Sequence, residues 1–241
     1  MTALLEVAGV SKSFRGLRAV ADASLEVRSG EVVALIGPNG AGKTTLFNLV
    51  AGALAPDAGS IRFDGRAITG WRADRVCAAG IGRTFQIVKP FADMTVLENV
   101  MVGGFRGNAD PRRARQRAED ALAALNMSGL RQRPAASLTL PDRKRLEVAR
   151  ALATQPRLLL LDEVMAGLRP TETDGMVAVF KQLNRESGVT ILLIEHVMRA
   201  VMALAQLVYV LHHGEIIADG TPHEVTRNPR VLESYLGAEA L

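Results

Sequence analysis

The stretch Gly37-Pro-Asn-Gly-Ala-Gly-Lys43-Thr44-Thr45 decides the fold of this chain and follows the pattern G-x-x-x-x-G-K-T. An apolar run over Val32-Val33-Ala34-Leu35-Ile36 precedes it, which is typical of a strand buried on both faces. A helical apolar pattern from Thr45 to Gly52 follows it and ends in a glycine. The sequence therefore predicts a strand, a glycine-rich loop and a helix, in that order.

This order predicts a loop that binds phosphate groups. The loop amides and the helix N-terminus converge on one anion, and glycines let the backbone approach it closely. Lys43 can reach the β and γ phosphates of a nucleotide, and the Thr44 hydroxyl can hold a magnesium ion. The alternative is a glycine-rich turn that binds nothing. A Lys-Thr pair directly after the second glycine argues against that alternative.

Length and composition limit the possible classes of protein. The chain has 241 residues, a formal net charge of +4 and one cysteine, Cys77. This length suits one sizeable domain or two intimate subdomains. A single cysteine allows neither a disulfide framework nor a cysteine zinc cluster. The apolar runs at 158–161 and 191–194 are too short to span a bilayer, so we expect any membrane component to be another chain.

The first part of the chain carries strand patterns. Leu4-Leu5-Glu6-Val7, Ser24-Leu25-Glu26-Val27 and Ser60-Ile61-Arg62-Phe63 are strand-like, and the turn pair Asp64-Gly65 follows the third. Phe14 lies in a polar segment between the first two strands. Its ring is explained equally well by ordinary packing and by stacking on a purine base ahead of the phosphate loop.

Residues 71 to 155 have mainly helical patterns. Thr95-x-x-Glu98 is a capping box, and Asp110-Pro111 predicts the start of a helix that runs from Arg112 to Met127. Four arginines lie near the start of this helix, at positions 112, 113, 115 and 117. A nucleic-acid surface is one interpretation, but the absence of interleaved aromatic residues favours a solvated helix face. We therefore expect no nucleic-acid partner.

Two further strands end in polar residues. Leu158-Leu159-Leu160-Leu161 leads into Asp162-Glu163, and Thr190-Ile191-Leu192-Leu193-Ile194-Glu195 leads into His196. Burying a carboxylate that has no partner costs free energy, so carboxylates at the end of a buried strand usually have a functional role. Beside a phosphate loop, Asp162 is expected to hold magnesium and Glu163 to orient or deprotonate the attacking water, whereas a helix cap is the simpler alternative. A strand-end histidine alone is usually structural.

The C-terminal part predicts a hairpin and a short helix. The strands Leu207–Leu211 and Glu215–Ile217 flank His212-His213-Gly214, and Thr221-Pro222-His223-Glu224 has the pattern of a helix cap.

Taken together, these motifs resemble those of the ATP-binding subunits of ABC transporters, over essentially the whole chain. Leu158 to Glu163 matches Walker B with its catalytic glutamate, and His196 matches the switch histidine. Gln86 matches the glutamine loop, which in this family contacts magnesium and reports to the membrane subunit. Phe14 matches the aromatic residue that stacks on adenine. The residues that match Walker A are Gly37, Pro38, Asn39, Gly40, Ala41, Gly42, Lys43, Thr44 and Thr45.

The resemblance implies an ATP hydrolase with ATP and Mg²⁺ as its ligands. Lys43, Glu163 and His196 are the implied catalytic residues, and Thr44, Gln86 and Asp162 the implied magnesium ligands. It implies an α/β fold with a P-loop NTPase (RecA-like) core and a parallel sheet, an N-terminal antiparallel β subdomain and an inserted helical subdomain. The expected boundaries within this single domain are 1–85 and 156–241 for the core and 86–155 for the helical subdomain.

Three segments resemble the ATPases of branched-chain amino acid importers in particular: 80–86, 94–100 and 228–237. Such importers pair two non-identical ATPases with two membrane permeases and a periplasmic binding protein. The resemblance implies a peripheral protein at the cytoplasmic face of the inner membrane and a hydrophobic amino acid, or a related amide or urea, as solute. The alternatives are an ABC-type switch without a transport role and the ATPase of a lipopolysaccharide exporter.

One segment departs from the family pattern. Where the family has the signature L-S-G-G-Q, which contacts the γ phosphate held by the opposite subunit, this chain has Leu138-Thr139-Leu140-Pro141-Asp142. Pro141 has no amide hydrogen to donate, Leu140 adds bulk and Asp142 adds negative charge. As a helix start the same residues are favourable, since Thr139 can cap and Pro141 suits the first turn.

The departure predicts asymmetry between two ATPase subunits. The chain keeps its own Walker residues, so it can hydrolyse ATP opposite a partner with an intact signature. We expect a heterodimer with one competent and one weakened site, while a homodimer remains possible. Val164 and Arg169 replace the proline and the Asp or Asn that the family commonly has there, in line with this expectation.

Overall fold

The computed structural model describes residues 3–85, 89–107 and 109–236 and contains two sheets. The first is a four-stranded antiparallel sheet of order β2-β1-β4-β5. Its strands are β1 (Ala3–Phe14), β2 (Leu17–Arg28), β4 (Ala58–Phe63) and β5 (Arg66–Ala67).

The second sheet has six strands and carries the predicted site. Its strands are β3 (Val32–Ile36), β6 (Ile81–Arg83), β7 (Leu158–Asp162), β8 (Thr190–Ile194), β9 (Leu207–His212) and β10 (Glu215–Gly220), in the order β10-β9-β3-β8-β7-β6. The strands from β9 to β6 in this order are parallel, and β10 pairs with β9 antiparallel. Every residue of β3, β7 and β8 is buried, as their continuous apolar runs predict. Their carboxyl ends therefore meet at one edge of the sheet.

Nine helices lie in the described part of the chain, and two single 3₁₀ turns lie at 128–130 and 135–137. The helices are α1 (Lys43–Val50), α2 (Ala73–Ala79), α3 (Val96–Gly104), α4 (Pro111–Ala124), α5 (Leu140–Leu152), α6 (Pro170–Ser187), α7 (Met198–Leu204), α8 (Pro222–Val225) and α9 (Pro229–Leu236). The predicted capping boxes at Thr95 and Thr221 are present at α3 and α8. Helices α3, α4 and α5 pack on one another, within the segment predicted as a helical subdomain.

The six-stranded sheet separates two hydrophobic cores. Val32, Ala34 and Ile36 of β3 belong to the core that is shared with helices α3 to α7. Val33 and Leu35, which point to the opposite face, belong to the core shared with α1 and the antiparallel sheet. The parallel sheet is therefore the middle layer, and its carboxyl edge is open between the two cores.

Several predicted boundaries were wrong in detail. Phe14 ends β1 instead of lying in a loop. Helix α4 ends at Ala124, three residues before the predicted end, because Asn126 adopts a left-handed conformation with φ of 57°. Strand β8 ends at Ile194, two residues before His196. Strand β6 interrupts the stretch that was predicted to be helical. In the described ranges we find no helix that combines the length and the apolar character needed to cross a membrane.

Three of the four arginines near the start of α4, Arg112, Arg113 and Arg115, are exposed. Arg115 contacts Glu119 at 3.0 Å, and Arg113 contacts Asp110 at 3.9 Å. Arg117 turns inward and donates to the backbone oxygens of Gly104 and Arg106. Helix-surface ion pairs of this kind are typical of a solvated face, which is the interpretation that the sequence favoured.

Candidate nucleotide site

The glycine-rich loop leaves β3 at Ile36 and enters α1 at Lys43. Gly37 and Gly42 have φ of 149° and 105°, and a Cβ atom would lie 2.0 Å from the Leu211 oxygen or 2.1 Å from the Ala19 oxygen, respectively. Only glycine fits either position. No side chain caps the N-terminus of α1, and its first turn has no acidic residue. Its amide groups and positive dipole end are therefore available to an anion.

Lys43 lies over this loop. Its side chain is 5% exposed, and Nζ donates to the backbone oxygens of Gly37 at 2.7 Å and Pro38 at 2.8 Å. Burial lowers the pKa of Lys43, while the nearby carboxylates of Glu163 and Asp162 raise it. The ammonium group is held where it can exchange backbone oxygens for phosphate oxygens.

A cleft of about 520 Å³ opens beside the loop. Phe14 lines it and is 41% exposed, and Glu163 lines the same cleft. His213, at the turn of the β9–β10 hairpin, is a further lining residue that the sequence reasoning did not select. The remaining lining residues are Leu17, Arg18, Ala19, Asn39, Gly40, Ala41, Gly42, Lys43, Thr44 and Thr45. The structure thus brings together the predicted purine platform, the phosphate loop and the predicted catalytic carboxylate.

Asp162 ends strand β7 and is 1% exposed. Burial raises the pKa of its carboxyl group, and the Arg83 guanidinium opposes this shift. Arg83 contacts Oδ2 at 3.2 Å and also donates to Asn48 Oδ1 at 2.6 Å. Oδ1 of Asp162 is buried and has no hydrogen-bond partner among the described residues. An unsatisfied buried carboxylate oxygen fits a ligand to a metal ion or its water shell.

Asp162 and Thr44 line one further cleft, of about 460 Å³. Among the described residues, no group of three or more His, Cys, Asp or Glu side chains could hold a metal ion. This is compatible with magnesium, which commonly takes few protein ligands and completes its shell with phosphate oxygens and water. Gln86, the third predicted magnesium ligand, lies outside the described residues.

Glu163 follows Asp162 and faces His196 across the carboxyl edge of the sheet. His196 Nε2 lies 2.8 Å from Glu163 Oε1. Glu163 has φ of 50°, an uncommon conformation for a residue other than glycine, and its N–H donates to the Ile194 oxygen at 2.9 Å. The structure thus places the two residues, which the resemblance selected separately, within hydrogen-bond distance of each other.

Sequence reasoning did not select three charged residues at this edge: Arg83, Lys144 and Glu195. Lys144 donates from α5 to the backbone oxygen of Glu163, and Glu195 accepts a hydrogen bond from the Met165 N–H. Burial raises the pKa of Glu195 to about 7. Two of these residues could have been found from their positions in the sequence. Arg83 ends β6 and Glu195 directly follows β8, and these two strands flank β7.

The segment Leu138–Asp142 starts helix α5, as the sequence predicted. Thr139 is the N-cap, and its hydroxyl donates to Asp142 Oδ2 at 2.8 Å. Asp142 also contacts Arg145 at 3.7 Å, and Leu140 is exposed. Among the described lining residues, neither of the two clefts includes Thr139, Leu140, Pro141 or Asp142.

Comparison with known proteins agrees with this geometry. The sequence profile of the ABC transporter family matches residues 20–166, and the chain therefore belongs to this family, as an ATP-binding and ATP-hydrolysing chain. A second profile, described as the branched-chain amino acid ATP-binding cassette transporter, matches residues 215–240.

Individual relatives extend the similarity over almost the whole chain. The chain is 41% identical to the high-affinity branched-chain amino acid transport ATP-binding protein BraF of Pseudomonas aeruginosa, over 97% of this chain and 98% of that protein. It is 43% identical, with the same coverage, to the high-affinity branched-chain amino acid transport ATP-binding protein LivG of Salmonella typhimurium. A solved ADP conformation of an ATP-binding cassette from an ABC transporter has a TM-score of 0.89 and 32% identity and covers 98% of this chain and 100% of its own.

Proposed function

We propose that this chain is the ATPase subunit that powers an ABC importer of branched-chain amino acids or related small solutes such as amides. The observation that carries the proposal is the pairing of His196 with Glu163, which lines the same cleft as the phosphate loop. The names of the relatives and the match at 215–240 favour this solute class over a switch without a transport role or a lipopolysaccharide exporter.

We assign the following roles in ATP binding and hydrolysis. Phe14 stacks on the adenine, the loop amides bind the phosphates, and Lys43 contacts the β and γ phosphates. Thr44 and Asp162, with Gln86 by resemblance, would hold Mg²⁺, which neutralises charge on the phosphates when bound. Glu163 orients and deprotonates the attacking water, and His196 fixes the Glu163 carboxylate.

As partners we propose a second ATPase subunit, two membrane permeases and, indirectly, a periplasmic binding protein. The chain would lie at the cytoplasmic face of the inner membrane. ATP-driven closure of the two ATPases would move the permeases, and hydrolysis would reset them.

We further propose that the two ATPases form an asymmetric heterodimer. The signature hydroxyl of Thr139 is already bonded to Asp142 within its own chain, so it is not free to donate to a phosphate. Pro141 offers no amide hydrogen, and Asp142 repels an anion. The site formed by the partner's phosphate loop and this segment would be weak, whereas the site on this chain's Walker residues would be competent.

Steady-state ATPase assays test the proposed role of Glu163 in hydrolysis and the asymmetric arrangement. The purified chain is assayed alone and with each candidate partner ATPase, with Glu163→Gln as the blank. We expect negligible activity alone, a rise with one partner, and loss of the rise in the Glu163→Gln variant. Strong activity of the chain alone would show that Leu138–Asp142 still binds phosphate and would contradict the asymmetric arrangement.

Restoring the signature tests the weak segment directly. The combined change Thr139→Ser, Leu140→Gly, Pro141→Gly and Asp142→Gln supplies the missing donors and removes the negative charge. A charge-assisted hydrogen bond contributes about 1.5 kcal/mol or more, so we expect turnover at the partner's site to rise about tenfold and total turnover of the assembled complex to rise with it. The rise should persist in a Glu163→Gln background, because the restored segment acts on the partner's site. Unchanged turnover in both backgrounds would contradict the weak signature.

A further inference from the structure

The turn at residues 163–166 places the Glu163 side chain, and its backbone needs support. Glu163 has φ of 50°, a left-handed conformation that is strained for a residue other than glycine. The Ala166 N–H donates to the Glu163 oxygen at 3.2 Å and closes the turn. Such a conformation persists only where the surroundings determine it strongly. Two buried charged side chains from other elements contact this turn.

Lys144 is the first of these side chains. It lies on α5, five residues after the Thr139 N-cap, and is 6% exposed. Its Nζ donates to the Glu163 oxygen at 3.0 Å. Burying an ammonium group is costly unless it is well paired, and the carboxylates of Glu195 and Glu147 are close enough to interact with it. The lysine therefore ties the helix that begins at the signature segment to the backbone of Glu163.

Glu195 is the second side chain. It is 1% exposed and directly precedes His196. Its Oε1 accepts a hydrogen bond from the Met165 N–H at 2.9 Å, whereas Oε2 has no hydrogen-bond partner among the described residues. A buried carboxyl group with one unsatisfied oxygen contributes little to the stability of the fold, since an apolar side chain of similar volume commonly stabilises a protein more. Its placement points to a role in holding the turn.

We propose that Lys144 and Glu195 are positioning residues that together hold the turn at 163–166, so that the Glu163 carboxylate stays on His196 and helix α5 is linked to the hydrolytic centre of its own chain. Lys144 fixes the turn at its first residue and Glu195 at its third. A shift of α5 would then move Glu163 within the same chain, in addition to the contact that the signature segment makes with the opposite subunit. The inference rests on the proposed catalytic role of Glu163.

The test compares variants of the full chain assembled with its partner ATPase. Lys144→Met and Glu195→Leu each remove one contact to the turn. Glu195→Gln keeps an oxygen that can accept the Met165 N–H and serves as the rescue variant. Thr190→Val is the matched control, because Thr190 is buried at the opposite end of β8 from Glu195 and its Oγ1 accepts a hydrogen bond from the Gly30 N–H at 2.9 Å, away from the turn. Glu163→Gln is the reference for loss of the carboxylate.

Three quantities are measured: kcat, KM for ATP, and equilibrium binding of a fluorescent ATP analogue. We expect Lys144→Met and Glu195→Leu to lower kcat about tenfold or more while KM and analogue binding stay within about twofold. Glu195→Gln should keep at least half of the wild-type kcat, and Thr190→Val should match wild type. Neither Lys144→Met nor Glu195→Leu should lower the residual rate of Glu163→Gln further, because residues that act through one group are not additive.

The outcomes separate this inference from the proposed function. If Glu163→Gln is inactive but Lys144→Met and Glu195→Leu turn over normally, only the positioning role is overturned. Loss of analogue binding in either variant, or an equal fall of kcat in Thr190→Val, also overturns it, because the effect is then on folding or on binding in general. If Glu163→Gln keeps the wild-type rate, the proposed catalytic assignment fails, and the positioning role fails with it.

Discussion

Glu195 links the stability of the chain to pH through the surroundings of a single carboxyl group. Burial raises its pKa from 4.5 to about 7, although the Met165 and His196 N–H groups and Lys144 partly oppose the shift. Between these two values the folded state binds a proton that the unfolded state releases. The contribution of this group to the free energy of unfolding is therefore present below pH 4.5 and is lost as the pH rises to about 7.

Glu195→Gln tests this dependence, because glutamine does not titrate. We expect the free energy of unfolding of the wild-type chain to fall more between pH 5 and pH 8 than that of Glu195→Gln, by on the order of 2 kcal/mol. Urea unfolding at both pH values measures the difference. Other carboxyl groups, including those of Asp162 and Glu147, titrate in both proteins and cancel in the comparison. Parallel pH dependence of wild type and variant would contradict the pKa shift.

The sequence pattern selected Lys43, Asp162 and Glu163 because each lies in, or directly follows, a strand or loop that its own neighbours define, whereas His196 was selected through the family resemblance. It did not select Arg83, Lys144 or Glu195. Arg83 meets Asp162 across 79 positions of sequence, and their contact depends on the pairing of β6 with β7. Lys144 meets Glu163 only because α5 packs beside the end of β7. Local pattern identifies residues at strand ends and in the phosphate loop, whereas the residues that contact them are determined by packing between distant elements.

At the scale of elements, the buried strands β3, β7 and β8 were predictable from continuous apolar runs. Strand β6 was not, since Ile81-Gly82-Arg83 is too short to show a period and lies within a helical stretch. Its conformation depends on pairing with Leu158, Leu159 and Leu160 of β7. A Cβ atom on Gly82 would lie 3.0 Å from the Ala151 oxygen, so α5 packs directly on this strand. The conformation of β6 therefore depends on its contacts with β7 and α5 and not on its own sequence pattern.

The C-terminal end of α3 provides a prediction at this scale. A Cβ atom on Gly104 would lie 2.4 Å from the Ala114 oxygen of α4, which is a backbone atom that cannot move without moving its helix. We expect Gly104→Ala to lower the free energy of unfolding by about 1–3 kcal/mol, as overpacked substitutions do. Thermal and urea unfolding of the full chain measure the loss.

Gly129→Ala is the matched control for this substitution. Among the described residues, no heavy atom lies within 4 Å of the place that a Cβ atom on Gly129 would take, and Gly129 is not one of the glycines with positive φ. We expect its substitution to change stability by less than about 0.5 kcal/mol. Equal losses in the two variants would show that close packing between α3 and α4 is not the cause.

At the scale of the whole molecule, the candidate nucleotide site has protein groups on one side of the expected nucleotide position only. Phe14, the phosphate loop and Glu163 line one cleft, and the segment that could contact a γ phosphate from the other side lies outside that cleft. If a second subunit completes each site, as proposed, Pro141 and Asp142 weaken only the site that this chain completes for its partner. Two copies of this chain would then form two weak sites, and a partner with an intact signature would leave one strong site.

Nucleotide-driven association tests this asymmetry. Glu163→Gln prevents hydrolysis, so ATP and Mg²⁺ should hold any competent dimer closed. We expect this variant alone to remain a monomer with ATP and to form a 1:1 dimer when the partner ATPase is added, as measured by size exclusion with light scattering. Adding Lys43→Ala should abolish association, since the loop then lacks its phosphate contact. With the restored Ser-Gly-Gly-Gln segment, the variant should dimerise by itself. An ATP-dependent homodimer of Glu163→Gln at the same concentration would contradict the asymmetry, because two weak sites would then suffice for closure.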